Sequence, residues 1–229
     1  MTLFFVPVFQ RFGALLDGLS VTVVVAVLAI VLSLIAGLGL ALARRSAVTP
    51  VRWLAVAYID VFRNTPFVVQ LFFFYYGLPE IGIFIDALTT GVVALSLAAA
   101  TSTAEVIRAG MDSVDRGVIE AARAYGLGYL ATMRHVILPQ AVRAMIPPTV
   151  SLAVGQLQVS SLVSIVGVVE LTKIGTNLNL RTLAPFKIWP IVALGYFIVS
   201  KPLSMLADWS EARLKQPGSR RDLGVDSLR

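Results

Sequence analysis

Two pairs of ionisable side chains interrupt long apolar runs of this sequence. Asp60 and Arg63 are three residues apart, and Glu105 and Arg108 repeat that spacing. Side chains three apart lie on one face of a helix, so each pair can neutralise itself. Ionisable groups inside an apolar helix are costly and usually face a partner or a polar cavity. The spacing therefore indicates either structural ion pairs or the wall of a path for a polar solute.

Uncharged polar residues supply further candidates for a solute path. The sequence Asn64-Thr65-Pro66 predicts a helix break, and broken helices in transporters expose backbone groups to the solute. Ser102 lies among small hydroxyls that can instead bond to their own helix. A later segment is too polar for a lipid-facing helix, because it contains Gln156, Gln158, Ser160, Ser161 and Ser164. It predicts either hydrogen bonds between helices or a polar path.

Enzymatic and metal chemistry have few residues to use. The chain has no cysteine and one histidine, His135, which excludes a thiolate or histidine-cluster metal site and an intramembrane hydrolase centre. No Gly-x-x-x-x-Gly-Lys-Ser/Thr loop occurs, so no phosphate cradle is recognisable. We predict no catalytic residue, no metal ligand and no cofactor in this chain.

The elements that position these residues are predicted to be membrane-spanning helices. Of 229 residues, 57% are hydrophobic and 14% charged, against roughly a quarter charged in soluble domains. A spanning helix needs about 20 apolar residues. The sequence predicts an all-α protein with about five spans, at 18–43, 53–78, 87–108, 144–169 and 188–207. The first is predicted to be an uncleaved helix, because it is too long for a signal peptide and lacks a preceding basic region.

Basic residues predict the orientation. With residues 1–17 outside, 13 of the 19 lysines and arginines fall in cytoplasmic stretches and 4 outside, and Arg63 and Lys201 lie within spans. This bias predicts an extracytoplasmic N-terminus and a cytoplasmic C-terminus. Residues 211–229 are predicted to be a disordered cytoplasmic tail. The net charge of +6 is scattered over short loops, so lipid, and not nucleic acid, is the predicted partner.

The predicted cytoplasmic loop, residues 109–143, is long and helix-prone. Glu120 is interpreted as lying near a helix start, where it complements the helix dipole. Gly126 and Gly128 can end that helix with positive φ, and Pro139 is interpreted as a break before the chain enters the membrane. The residue types predict a short helix along the membrane surface. They leave open whether its alanine face contacts a protein or lipid headgroups.

The same loop carries a family resemblance. Glu120-Ala121-Ala122, Gly126, Val136 and Leu138-Pro139 are spaced as in the cytoplasmic loop signature of binding-protein-dependent ABC importer permeases, which usually have isoleucine where this chain has Val136. Further segments resemble the polar amino acid (histidine, glutamine, glutamate, arginine and opine) group of that family: Phe62 to Pro66, Gln70 to Phe73, Tyr76 to Pro79, Ala104 to Gly110, Ser161 to Gly167 and Glu170-Leu171. The resemblance covers about residues 18–210.

The resemblance implies the type I ABC importer permease fold in a bacterial cytoplasmic membrane. It implies four kinds of partner: membrane lipid, an ABC ATPase dimer that carries ATP and Mg, an extracytoplasmic solute-binding protein, and an identical or sister permease. The loop helix would couple to the ATPase through Glu120, Ala121, Ala122, Gly126, Leu138 and Pro139. An ion-gradient-driven secondary transporter is the alternative from another class.

The substrate path is the least constrained prediction. Its candidate residues are Arg63, Asn64, Thr65, Ser102, Glu105, Gln156, Gln158, Ser160 and Ser161. The family's polar group usually has Asn-Gln near Ser151-Leu152 and Lys-Asp/Asn-Thr in place of Gln158-Val159-Ser160. This departure leaves open a zwitterionic or less charged substrate, such as a modified amino acid or a compatible solute.

Overall fold

The structure is a computed structural model that describes residues 12–214, and within that range it is helical with no strand. In chain order the helices are α1 (Phe12–Arg44), α2 (Thr49–Asn64), α3 (Phe67–Phe72), α4 (Leu78–Glu80), α5 (Ala87–Asp112), α6 (Arg116–Ala124), α7 (Tyr129–Thr132), α8 (Leu138–Val159), α9 (Leu171–Thr182) and α10 (Pro185–Leu214). π-helical turns at Phe73–Gly77 and Met133–Ile137 join α3 to α4 and α7 to α8. A 3₁₀ segment, Ser160–Val166, continues α8.

Four helical stretches of the described chain are long and apolar enough to cross a membrane: Phe12–Arg44, Ala87–Asp112, Tyr129–Val166 and Pro185–Leu214. Each overlaps one predicted span and is longer than it, although Tyr129–Val166 ends three residues before the predicted end at 169. Residues 12–17 of the predicted extracytoplasmic segment are helical, and so are residues 211–214 of the predicted tail, for which the predicted disorder was wrong. The remainder of both, residues 1–11 and 215–229, lies outside the described residues. The number of crossings and their orientation stay predictions.

The predicted second span is divided. α2 ends at Asn64, and Thr65 is extended, with φ −104° and ψ 128°. The ring of Pro66 disfavours a helical conformation for the residue before it, and the extended Thr65 confirms the predicted break. α2 has 16 residues and spans about 24 Å at 1.5 Å per residue. It needs the continuation through α3 to reach across a bilayer.

Two expectations about the prolines were wrong. Pro139 does not break the chain before the membrane, because it occupies the first turn of α8, directly after the π-helical turn. The predicted start of the fourth span at residue 144 implied that Pro147 and Pro148 lie in a first helical turn, whereas both lie inside α8. Each proline removes one backbone N–H, and helices packed in a membrane protein tolerate that loss.

α1 and α5 run parallel. Gly37 of α1 packs so closely on α5 that a Cβ there would lie 2.5 Å from Cβ of Thr103. Further along both helices, Arg45 pairs with Asp112 at 2.7 Å. This close approach explains why a glycine occupies position 37.

α8 runs antiparallel to α5. The end of α5 contacts the start of α8 through Gly110 and Met145, whereas the start of α5 contacts the 3₁₀ segment through Gly91 and Val163. The bundle therefore has two distinguishable ends. The α6 end contains the C-termini of α1 and α5 and the start of α8. The α9 end contains the starts of α1 and α5, the end of α8, the helix α9 and the start of α10.

Buried apolar residues form two main cores. The central core is built by α1, α3, α5 and the segment after α8, from Val25, Ala29, Leu71, Val92, Ala94, Leu95, Val163, Val166 and Val168. The α9 core joins α1, α9 and α10 through Leu15, Leu171, Leu178, Ile188 and Val192. Large apolar side chains elsewhere on α1 and α10 are exposed, as expected of helices whose outer surface faces lipid.

Candidate functional site

The short helix α6 has a defined cap at each end. The carboxylate of Asp115 accepts a hydrogen bond of 2.6 Å from the N–H of Gly117. At the other end, the N–H of Gly126 bonds to the carbonyl of Arg123, and the N–H of Leu127 bonds to that of Ala122. Gly126 has φ +79°, so these bonds form a Schellman motif, and glycine fits because it lacks a Cβ.

These caps test the predicted ends of the loop helix. Gly126 ends the helix with positive φ, as predicted. Gly128 does not, because its φ is −65° and it precedes α7. Glu120 is not near the helix start either. Asp115 takes the capping position, and Glu120 therefore falls in the middle of a helix that begins at Arg116.

α6 buries one small side chain and exposes the rest of its motif. Ala122 is buried, whereas Glu120, Ala121 and Gly126 are exposed, as are Leu138 and Pro139 at the start of α8. Tyr125 beside them is 88% exposed. The predicted coupling residues thus lie around an open surface at the α6 end, where a partner has access to them.

An ion-pair network lies at the same end, where α1 and α5 finish. Glu105 accepts from Arg44 and from Arg108, the latter at 2.9 Å. Asp112 accepts from Arg108 at 3.0 Å and from Arg45 at 2.7 Å. The predicted Glu105–Arg108 pair is therefore formed. Glu105 is engaged by two arginines and ties α1 to α5 immediately before α6.

The second predicted ion pair is absent. Asp60 and Arg63 are both exposed, and no ion pair in residues 12–214 joins them. The side chain of Asn64 donates to the carbonyl of Asp60 at 2.8 Å, and the hydroxyl of Thr65 donates to that of Val61 at 2.8 Å. The polar side chains at the end of α2 thus bond to their own helix.

Gln70 bridges the break between α2 and α3. It is 7% exposed, and its Nε2 donates to the carbonyls of Phe62 and Thr65 at 2.7 and 2.8 Å. The carbonyl of Phe62 would accept from residue 66 in a continuous helix, but Pro66 has no N–H. The amide of Gln70 replaces that donor, so these two carbonyls are already occupied and do not await a solute. Only the position of a polar residue four after a proline could have signalled this.

Within α8, Gln156 faces the interior. It is 9% exposed, its Oε1 lies 3.4 Å from Oγ of Ser33 in α1, and its Nε2 is buried without a partner. The Ser33 hydroxyl also lies 2.8 Å from the carbonyl of Ile30 and has one proton to donate. One polar atom of Gln156 therefore remains available in an interior where such atoms are normally bonded.

The other predicted path residues do not converge. Ser160 is buried and bonds to the carbonyl of Leu157, and Ser161 bonds to that of Gln158. Four of the nine candidates are exposed: Arg63, Asn64, Ser102 and Gln158. Across residues 12–214, no hydrogen bond between side chains joins any two of the nine. The sequence did not predict which of these nine polar side chains face the interior.

A buried carboxylate at the α9 end was not singled out by the sequence reasoning. Glu170 is 0% exposed and caps α9, with Oε2 accepting from the N–H of Thr172 at 2.9 Å and Oε1 from that of Lys173 at 2.8 Å. Oε2 also accepts from the hydroxyl of Tyr196 in α10 at 2.6 Å and from that of Thr22 in α1 at 3.2 Å. The short helix α9 was itself missed, and the Glu-Leu-Thr sequence at its start was the available signal.

No group of three or more histidine, cysteine, aspartate or glutamate side chains within residues 12–214 could hold a metal ion. The described geometry instead defines a class: a multi-pass helical membrane protein with a buried polar interior and one exposed, capped helix at one end.

Comparison with known proteins assigns the family. The chain belongs to the binding-protein-dependent transport system inner membrane components, whose family model matches residues 29–216. A probable glutamine ABC transporter permease protein of Bacillus subtilis (strain 168), GlnM, is 35% identical over 91% of this chain and 96% of its own length. The arginine transport system permease protein ArtQ of the same organism is 33% identical over 94% of this chain and 99% of its own length.

A solved structure agrees with this assignment. A chain in a crystal structure of an amino acid ABC transporter with histidines superposes with a TM-score of 0.88 at 35% identity, covering 93% of this chain and all of that one. The type I importer permease fold and the inner-membrane location expected from the sequence are thereby confirmed. The protein is the membrane permease of an ABC import system, and nothing in these matches supports a gradient-driven carrier.

Proposed function

We propose that this permease takes up a polar amino acid or a closely related zwitterion, delivered by an extracytoplasmic binding protein. Uptake is driven by ATP and Mg on a separate ATPase dimer, and a second permease chain, identical or similar, completes the pathway. The observation that carries the proposal is α6, an exposed helix of nine residues with both ends capped. A capped, protruding helix is suited to transmit force, because it moves as one piece.

The coupling surface comprises the exposed residues Glu120, Ala121, Gly126, Leu138 and Pro139. Ala122 is the buried residue of α6. The ion pairs from Glu105 and Asp112 to the end of α1 support this assignment. They join the ends of α1 and α5 into one support close to the start of α6, against which α6 can be displaced.

The substrate class is supported by the names of the relatives, which specify glutamine and arginine. Inside the bundle, Gln156 is the path residue best supported by geometry, because its buried amide retains an unpartnered atom. Gln158, Ser160 and Ser161 on the same segment are weaker candidates, as are Arg63, Asn64, Thr65, Ser102 and Glu105. With uncharged side chains at Gln158-Val159-Ser160, a zwitterion is favoured over a substrate with a strongly charged side chain.

The coupling assignment is tested by reconstitution in liposomes with the ATPase and the binding protein, measuring ATP hydrolysis and substrate uptake. Gly126→Asp places a side chain at φ +79°, a conformation that costs most residues roughly 1–2 kcal/mol and aspartate less, and it adds charge to the coupling surface. We expect uptake to fall by at least about tenfold, as a loss of 1.4 kcal/mol alone would give. Glu120→Lys, which reverses a charge at the centre of α6, is expected to act alike.

Matched controls lie close by. Gly128 has φ −65° and open space around it, so Gly128→Asp adds the same charge without backbone strain. Glu211→Lys reverses an exposed charge on α10. Normal activity of both controls alongside loss in Gly126→Asp and Glu120→Lys supports the coupling role. Uptake that persists without ATP, or full activity in the two α6 variants, contradicts it.

A further inference from the structure

Glu170 makes more bonds than a helix cap requires. A cap needs only an acceptor for the first free N–H groups, which Thr172 and Lys173 provide. The additional bonds from Tyr196 and Thr22 reach two other helices. Thr22 also accepts from the N–H of Leu171 at 3.2 Å. Its single proton is shared between Glu170 and the carbonyl of Gly18, which lies 3.0 Å away, so α1 contacts the start of α9 through one hydroxyl that both donates and accepts.

This carboxylate lies well inside the bundle. Thr22 is ten residues beyond Phe12, the first described residue of α1, which corresponds to about 15 Å along the helix. Glu170 is the only acidic residue among residues 12–214 that is buried. It separates the two apolar cores, since Val168 belongs to the central core and Leu171 to the α9 core. A buried charge is tolerated only where its hydrogen bonds are made. Moving α9 away from α1 and α10 would break these bonds, so the energetic cost of that movement is concentrated at Glu170.

Close packing then holds α9 between α1 and α10. A Cβ at Gly18 would lie 2.7 Å from Cδ1 of Ile174. A Cβ at Gly175 would lie 2.6 Å from Cγ2 of Val192. Because no space separates the helices at these contacts, α9 cannot shift against either neighbour without unpacking the α9 core.

The connection from α8 to α9 has a different character. α8 tightens into the 3₁₀ segment, and Gly167 then takes φ +100° with open space at its Cβ position. A 3₁₀ turn is common where an α-helix ends, and the left-handed Gly167 then lets the chain change direction before α9. α8 starts at the α6 end, so this segment lies between the helix that receives movement there and the helix that Glu170 holds.

We propose that Glu170 is a positioning residue for transport. Its carboxylate fixes α9 to α1 and α10, so a movement of α8 is taken up in the connection at Gly167, which has open space around it, and does not carry α9 with it. The inference rests on the proposed function, because it assumes that α6 delivers the movement. It adds that productive uptake requires α9 to stay in place.

The position of α9 can be measured without transport. The chain has no cysteine, so Leu178→Cys places a single thiol in the α9 core, where Leu178 is 6% exposed. In the assembled, reconstituted complex, we expect Glu170→Gln to raise the rate of maleimide labelling by about tenfold, since local opening controls access. Glu80→Gln makes the same change at an exposed site and is expected to leave the rate unchanged. Val92→Cys, in the central core, should stay slow in both backgrounds.

Glu170→Asp distinguishes the capping of α9 from the hydrogen bond to Tyr196. Aspartate is a good helix cap, but it is one bond shorter, about 1.5 Å, and withdraws from Tyr196. We expect the labelling rate to rise with Glu170→Asp and, to a lesser extent, with Tyr196→Phe. If Glu170→Asp is labelled at the wild-type rate, capping of α9 is the only role of Glu170 and the proposed positioning role is refuted.

Transport measurements test whether uptake requires Glu170 to hold α9 in place. With normal insertion and basal ATP hydrolysis, Glu170→Gln is expected to lower the maximal uptake rate by about tenfold and to leave the half-saturating substrate concentration unchanged, as for the loss of 1.4 kcal/mol in the moving step only. Wild-type uptake in Glu170→Gln, with α9 labelled rapidly, overturns the role. Failure of the proposed function is distinct: wild type itself would then show no uptake that depends on ATP and binding protein.

Discussion

The two ends of this bundle use acidic side chains in opposite ways. At the α9 end, one carboxylate is fully buried and accepts hydrogen bonds from its own helix start and from two other helices. At the α6 end, Glu105 and Asp112 share three arginines, and these side chains are 21–47% exposed. The buried site is hydrogen-bonded without a countercharge among the described contacts. The open site is an ion-pair network in contact with water.

The contrast shows what each end can tolerate. Partly exposed ion pairs contribute little individually, about 0–1 kcal/mol, and break and re-form readily. Buried donors that lose a charged acceptor cost more, because water cannot replace it. The α6 end is therefore suited to an interface that rearranges, and the α9 end to one that stays fixed. Both helices that begin at these ends, α6 and α9, are capped by an acidic residue, so capping alone does not separate them.

The largest expected effect comes from the buried site. Glu170→Gln leaves at least two N–H or O–H donors without a charged acceptor and is expected to cost about 2–3 kcal/mol. For a chain of this length the thermal midpoint falls by roughly 2–4 °C per kcal/mol, which circular dichroism in detergent would detect. Glu105→Gln should cost under about 1 kcal/mol.

Salt provides the control for that comparison. Raising ionic strength from about 0.15 to 1 M shortens the screening length from about 8 to 3 Å. The small deficit of Glu105→Gln should then vanish, and the deficit of Glu170→Gln should persist. Equal deficits, or equal sensitivity to salt, would remove the distinction between the two ends.

An intermediate effect is expected at the break between α2 and α3. Gln70→Leu removes the Nε2 that bonds to Phe62 and Thr65, leaving two partly buried carbonyls unpaired at a cost of about 1–3 kcal/mol. Gln70→Glu keeps the shape but supplies no N–H donor when ionised, and should be at least as harmful. Gln158→Leu, at an exposed position on α8, is the matched control for thermal stability. A stable Gln70→Leu protein would mean that the break is held by other contacts.

Hydropathy and the positions of prolines and glycines predicted much of the fold. The apolar runs are long enough that the helices at α1, α5, α8 and α10 follow from bilayer dimensions alone, and Pro66 dictates its break by local sterics. The glycine at 126 is likewise a local requirement, because the Schellman motif needs positive φ. Such features are determined by a few adjacent residues.

The sequence did not predict which residues contact one another across the bundle. Gln70 bonds to carbonyls five and eight residues earlier, and Glu170 meets Thr22 across 148 positions. Asp60 and Arg63 have the same spacing as Glu105 and Arg108, yet only the second pair forms. Arg44, on another helix, reinforces the Glu105–Arg108 pair, and no such neighbour was visible in the spacing.

The smallest effect, and the test most specific to the α6 end, concerns the cap of α6. Asp115→Ala removes the acceptor for the N–H of Gly117 and should weaken α6 by about 1 kcal/mol. Because α6 is short and mostly exposed, global thermal stability should barely change, whereas fraying of its first turn should lower ATP-coupled uptake by a few-fold. Asp115→Asn and Asp115→Ser keep a capping side chain and should restore uptake, although both remove the charge. Rescue by these variants would assign the effect to capping. A loss common to all three would assign it to the charge of Asp115, and α6 would then be a surface that recognises its partner by electrostatics more than by its rigidity.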